Sequence, residues 1–192
     1  MPSPPKPAPP TATSLHAAGM SYLARYTATE AGLRGILDRR IDRWARTAVT
    51  EDRDALSAQI AALRQAAHQV VGLLAAAGLV NDAAYAEVRA AGLIRSGRSR
   101  RAVAARLTAK GVAPDVARAA LPDDPDAELA AALVLVRKRR IGPYRRGDPP
   151  DLTVRRREMA MLARAGFPQP VAARALAMGA DEAEERIAMF RR

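Results

Sequence analysis

Apolar residues recur every three or four positions along most of this chain, and the longest such series runs Leu56, Ile60, Leu63, Ala67, Val70, Leu74. Residues so spaced share one face of an α-helix, so the series predicts a single helix with a narrow apolar stripe about five turns long. Upstream, Ser14–Tyr26 reads as a first helix, and Thr29 caps a second that carries Leu33, Leu37, Ile41 and Trp44 toward residue 49. Thr50-Glu51-Asp52 supplies the next start signal, a capping hydroxyl followed by two acids where the helix dipole is positive. The stripe has the spacing of a coiled-coil seam. It is shorter than a sustained heptad array, which favours packing against the second helix of the same chain over a dimer interface.

The most complete unit lies between Gly78 and Leu121. Asn81-Asp82 offers side-chain oxygens to the unpaired N–H groups of a helix start, and Arg95-Ser96-Gly97 closes that helix. Tyr85, Val88 and Gly92 fall at i, i+3 and i+7 and are expected on its packed face. A second helix spans roughly 98–110, with Val103 and Leu107 inward and Arg98, Arg101 and Ala105 outward, and Lys110-Gly111 ends it. Pro114 suits the first turn of a third short helix, because the N–H it lacks would have no partner there, and Pro122 stops that helix.

The unit recurs. Arg100–Leu121 and Arg155–Leu176 align at a constant offset of 55 with nine identities in 22 positions, among them Leu107/Leu162, Gly111/Gly166, Val116/Val171 and Leu121/Leu176. A glycine followed by an apolar residue ends a helix at Gly78-Leu79, Gly111-Val112 and Gly166-Phe167. Three such steps predict an all-α fold, an elongated array of about three three-helix, helix-turn-helix-like repeats. The expected divisions are a disordered proline-rich tail at 1–13, a first repeat at 14–77 with an extended helix, a second at 78–121 and a third at 122–192. Within the third, a helix with Leu129, Leu133 and Val136 on one face follows the acidic hinge PDDPDAE. The connector IGPYRRGDPPD should hold no regular structure, helix resumes near Asp151, and Val171–Met178 and Asp181–Arg192 complete the chain.

Composition agrees with close-packed helices: 49% of residues are hydrophobic, many of them alanine, and only 4% are aromatic. With no cysteine there is neither a disulfide nor a thiolate metal site. The longest uninterrupted apolar run, Val70–Val80, is 11 residues where a membrane span needs about 20, and the N-terminus lacks the apolar core of a signal peptide, so a cytoplasmic protein is expected. His16 and His68 sit in separate helices without metal-ligand spacing. No glycine-rich phosphate loop or nucleophile elbow is present, and neither an enzyme nor a cofactor is expected.

What remains is cationic. The chain carries 31 Lys and Arg against 20 Asp and Glu, a formal charge of +11, which draws polyanions or acidic protein grooves. Arg89–Lys110 holds seven basic residues and no acid, and Arg137–Arg157 holds nine against Asp148 and Asp151. The candidate contacts for a filament or nucleic acid are Arg95, Arg98, Arg100, Arg101 and Lys110 in the first stretch. In the second they are Arg137, Lys138, Arg139, Arg140, Arg145, Arg146, Arg155, Arg156 and Arg157. A stripe of this kind follows a phosphate backbone with an affinity that falls steeply with salt, whereas solvated helix ends are the alternative. Tyr144 is the only aromatic inside a basic stretch, so base readout is not indicated.

The ordered set resembles the RecX family. Thr29 with Leu33, Arg34 and Leu37 matches a first-unit cap and helix, and Gly78-Leu79-Val80-Asn81-Asp82 with Tyr85-Ala86 resembles the family's most recognisable segment. Gly97, Arg98, Arg101, Val103, Leu107, Gly111 and Val112 follow in register, and Leu162, Ala163, Arg164, Gly166 and Phe167 resemble the last unit. The resemblance implies a regulator that binds the RecA recombinase filament on DNA, limits ATP hydrolysis and strand exchange, and modulates the SOS response; a monomer is expected from the short α-helical stripe. The competing readings are a general basic nucleic-acid-binding helical protein with no recombinase target, and a scaffold dimerising through Leu56–Leu74.

Overall fold

The computed structural model describes residues 8–48, 52–146 and 150–191. Expectations for residues 1–7, 49–51, 147–149 and 192 lie outside the described residues. The fold is all-α: among the described residues there are ten α-helices, one short 3₁₀ turn and no strand. The helices are α1 (Ala12–Leu23), α2 (Glu30–Ala45), α3 (Arg53–Ala76), α4 (Asp82–Arg95), α5 (Arg100–Thr108), α6 (Pro114–Ala119), α7 (Pro125–Arg139), α8 (Leu152–Arg164), α9 (Gln169–Ala177) and α10 (Ala180–Arg191). They fall into two compact units, Met1–Tyr85 and Ala86–Arg192.

In the first unit α3 packs on α1 and α2. Leu15 from α1, Leu33, Leu37 and Ile41 from α2, and Ala67, Val70, Val71 and Leu74 from α3 form its core, with Ile60 and Leu63 half-buried against it. The apolar stripe of α3 is therefore used inside its own chain from Ile60 to Leu74, while Leu56 stays partly exposed. Helix α1 starts earlier than its hydropathy suggests, because Thr11 and Ser14 build a capping box. The Thr11 hydroxyl accepts from the Ser14 N–H at 3.1 Å and the Ser14 hydroxyl from the Thr11 N–H at 2.9 Å, so Ala12 and Thr13 belong to the helix. Asp52 caps α3 by accepting from the Ala55 N–H at 2.8 Å. The two polar residues at 81–82 act on different helices. Asn81 accepts from the Ala84 N–H and caps α4, while Asp82 reaches back to accept from the Glu30 N–H at the start of α2, at 2.9 Å.

The second unit is built around α7. Nine of its 15 residues are buried, from Ala127 through Val134 and at Val136, so it is covered all round and not on the single face its leucines suggested. Alanines at 127 and 130–132 let neighbouring backbones close on it. The packed face of α4 also differs from the expectation: Ala86, Ala90 and Ile94 are buried, whereas Val88 is 73% exposed and Gly92 lies in open space. Small alanines at i and i+4 allow the close helix contact that larger residues would prevent, and hydrophobic size alone picked the wrong side. The connector after α7 contains a 3₁₀ turn, Gly142–Tyr144, pressed against Leu176 of α9.

The repeat read from the sequence is a repeat in space. At Gly111 and Gly166 the glycine enters the left-handed region, with φ of +88° and +90°, and the following residue's N–H reaches back to the buried leucine's carbonyl, Val112 to Leu107 and Phe167 to Leu162. Val112 and Phe167 are buried behind these turns. The Gly78 turn is closed the same way, but there Leu79 is half-exposed and Val80 takes the buried place. Among the described residues, no helix is long and apolar enough to cross a membrane.

Gly97 and Gly166 are the positions where glycine is required. A Cβ on Gly97 would lie 2.9 Å from Val134 Cγ1 and 3.0 Å from the Leu135 nitrogen, and one on Gly166 would lie 2.6 Å from Ser99 Oγ, both at left-handed φ. Gly166→Ala is expected to cost about 2 kcal/mol or more, from strain and overpacking together. Gly92→Ala, in an open mid-helix position, should stabilise by roughly 0.5–1 kcal/mol. Urea unfolding of the two variants checks both signs.

Candidate functional site

The site begins at a buried serine. Ser99 is fully buried and caps α5, its hydroxyl accepting from the Ala102 N–H at 3.2 Å and donating to the Ala165 carbonyl at the end of α8, at 2.6 Å. One side chain thus satisfies an orphan donor at one helix start and an orphan acceptor at another helix end. Glu128, on α7 and only 6% exposed, accepts from the Arg100 N–H at 2.9 Å and satisfies a second donor of α5. Burial raises the Glu128 carboxyl above its ordinary value, with the Arg100 N–H and the Arg100 charge pulling the other way.

That junction gathers cations. The turn 96–98 after α4, the last turns of α7 and the last turn of α8 line a groove of about 510 Å³. Arg98, Lys138, Arg139 and Arg164 are its charged residues, Leu135 and Met161 give it an apolar floor, and no carboxylate lines it. Three of the four were expected from the sequence. Arg164 was missed as a site residue, since it stands alone in sequence and its place becomes evident only once Gly166 has folded against Ser99. Arg157, Met161 and Arg164 fall at i, i+4 and i+7 on α8, so Arg157 continues the same face. Arg101 is exposed and does not line the groove; its Cβ lies 3.4 Å from where a Gly166 Cβ would sit.

Other candidates are engaged inside the unit. Arg100 pairs with Asp123 at 2.7 Å, Arg137 with Glu184 at 2.8 Å, and Arg145 with Glu158. Glu158 is 5% exposed and occupies the repeat position held by Val103 in α5, so the Arg145 guanidinium neutralises a carboxylate that has replaced an apolar core residue. Lys138 donates to the Ser96 carbonyl at 2.7 Å, stitching the end of α4 to α7 while its charge stays at the groove. Arg95 lines a separate, mostly apolar groove with Ile94, Leu121 and Phe190. Arg140, in left-handed backbone at φ +54°, and Arg146, Arg155 and Arg156 are exposed outside the groove, as is Lys110 at the far end of α5. Tyr144 is not a stacking platform. Its hydroxyl is buried without a well-formed hydrogen bond, and burial together with the nearby Glu184 carboxylate pushes its pKa up to about 12, against the opposing charge of Arg137.

Among the described residues no group of His, Asp and Glu is placed to hold a metal. The arrangement suits recognition of an anionic surface: guanidinium and ammonium donors around an apolar floor, on helix ends whose backbones are held by buried caps.

Residues 81–121, which comprise α4 through α6, match the family described as RecX, second three-helix domain. Regulatory protein RecX of Myxococcus xanthus is 40% identical over 157 residues, 81% of this chain and 80% of the relative. Regulatory protein RecX of Agrobacterium fabrum is 42% identical over 106 residues, 55% of this chain and 56% of the relative. The crystal structure of RecX from Lactobacillus salivarius superposes with a TM-score of 0.59 over 93% of this chain and 97% of that one, and at 16% identity this likeness speaks for the fold.

The buried carboxylate makes a pH prediction. Because the folded state holds the Glu128 proton more tightly than the unfolded chain, this group's contribution is most favourable below the ordinary carboxylate pKa. It is lost as pH rises through the raised value. Glu128→Gln keeps an oxygen for the Arg100 N–H and removes the titration. The stability of wild type relative to the variant, measured by denaturant unfolding from about pH 4 to about pH 7, should fall as pH rises; a flat difference contradicts the assignment.

Proposed function

The chain belongs to the RecX family of regulatory proteins, and from that premise we propose that it binds the RecA filament on DNA and restrains its ATP hydrolysis and strand exchange. In this reading it acts in the cytoplasm as a monomer, and tempers the SOS response by shortening the life or activity of the filament. It works by binding and carries out no covalent chemistry. The observation that carries the reading is the convergence of Arg98, Lys138, Arg139 and Arg164 on one acid-free groove. Of the four, Lys138 is already held by the Ser96 carbonyl and loses less freedom on meeting an anionic surface, so more of its interaction is kept as affinity. Supporting the monomer further, Ala67, Val70 and Leu74 of the α3 stripe are buried in the chain's own core, with Ile60 and Leu63 half-buried against it, so less of the stripe is left for a second copy.

The test is RecA ATP hydrolysis on single-stranded DNA as the protein is titrated well below the recombinase concentration. Inhibition at substoichiometric ratios is expected, weakening steeply with added salt. Arg98→Glu/Arg139→Glu should abolish it with helical content unchanged, while Arg106→Glu, on the exposed side of α5 outside the groove, should retain it. Full inhibition by the double variant refutes the groove. Inhibition only when the protein coats the DNA favours the general nucleic-acid reading.

A further inference from the structure

The first unit carries a cationic groove of its own. Arg25 at the end of the α1 segment and Arg39, Arg40 and Arg43 of α2 are exposed and line a groove of about 570 Å³ between the two helices. It runs on, through shared Ser14, Arg40 and Arg43, into a second groove of about 460 Å³ lined by Trp44. Among the described residues no carboxylate lines either groove. Asp42, the acid next to Arg43, is turned to Arg64 on α3 at 2.9 Å.

Aromatic rings collect at the same place. Tyr22 lines the groove and stacks at a tilt on Tyr26, with ring centroids 5.1 Å apart and Tyr26 57% exposed. The chain has one Trp, four Tyr and two Phe, and three of these seven rings, Tyr22, Tyr26 and Trp44, stand at or beside this groove. The groove of the second unit has none. Guanidinium groups alone would suit any polyanion, but rings interleaved with them suit one whose bases are open to stacking. Arg39 and Arg43 lie one helical turn apart, about 6 Å along the axis, on the side where a strand would run. A duplex keeps its bases inside and gains nothing from the rings, and an acidic peptide uses only the charges.

We infer that the α1–α2 groove is a binding site for a single-stranded polynucleotide, with phosphates on Arg39, Arg40 and Arg43 and bases against Tyr22 and Trp44. The site needs no recombinase, and it stands or falls separately from the filament reading.

Trp44 is the chain's single tryptophan, so its fluorescence reports on this groove. The full chain is titrated with a twenty-residue oligothymidylate, an oligouridylate of the same length, an abasic strand of the same length, a duplex and polyglutamate. Both single strands should quench Trp44, and the abasic strand should bind about 5-fold more weakly or worse, without quenching. Arg39→Gln/Arg43→Gln should reduce the slope of log affinity against log salt by about 1.4. Arg98→Glu/Arg139→Glu should leave the quenching in place. Oligonucleotide binding seen by anisotropy with no change at Trp44 overturns the inference, as does equal quenching by the abasic strand, the duplex or polyglutamate.

Discussion

The second unit depends on the buried hydroxyl of Ser99. It caps α5, holds the last carbonyl region of α8, and sits where any side chain at 166 would be, so the ends of two helices from successive repeats are fixed by one group. Losing it would strand an N–H and a carbonyl away from water, each a penalty of roughly 1–3 kcal/mol. At Gly166 glycine has two roles, the left-handed turn it shares with Gly78 and Gly111 and the room it leaves for Ser99.

Charge follows from this architecture. Helix ends favour cations, and the junction brings the ends of α4, α7 and α8 to one place, so Arg98, Lys138, Arg139 and Arg164 converge without any one helix being unusually basic. Other arginines are drawn inward. Arg145 answers a carboxylate in a core position and Arg137 answers Glu184, so these two hold the unit together, while Lys138 both ties α4 to α7 and stays at the groove. In the first unit a different logic applies, with arginines on the sides of two helices and rings between them.

Much of this was legible in the sequence. Helix number, the caps at Thr29 and Asn81, the restart of helix near Asp151, the Gly–apolar turns and the offset between repeats follow from local chemistry, and local chemistry decides them. The side of α4 that packs was not legible, because alanine is both the residue that permits the closest approach and the one with the weakest hydrophobic signal. The encirclement of α7 was hidden for the same reason. Arg164 was invisible as a site residue because Arg98, Lys138 and Arg139 reach it from other segments, and Tyr22 and Trp44 because each groove is closed only when α1 and α2 pack together. The basic runs at 137–140 and 155–157 do not share one surface, because residues next to each other on a helix point in different directions, and of the first run only Lys138 and Arg139 line the groove.

The groove at the Ser99 junction is the claim on which the functional account rests. Its most direct test is a photo-reactive residue placed at Arg139, with a second placed at Ala173 on the exposed side of α9 as control, and irradiation of each on RecA filaments assembled on single-stranded DNA. The account predicts a cross-link from position 139 to recombinase subunits, lost at high salt, and none from position 173. Cross-linking from 139 to DNA alone, or capture of the recombinase from 173 and not from 139, would contradict it.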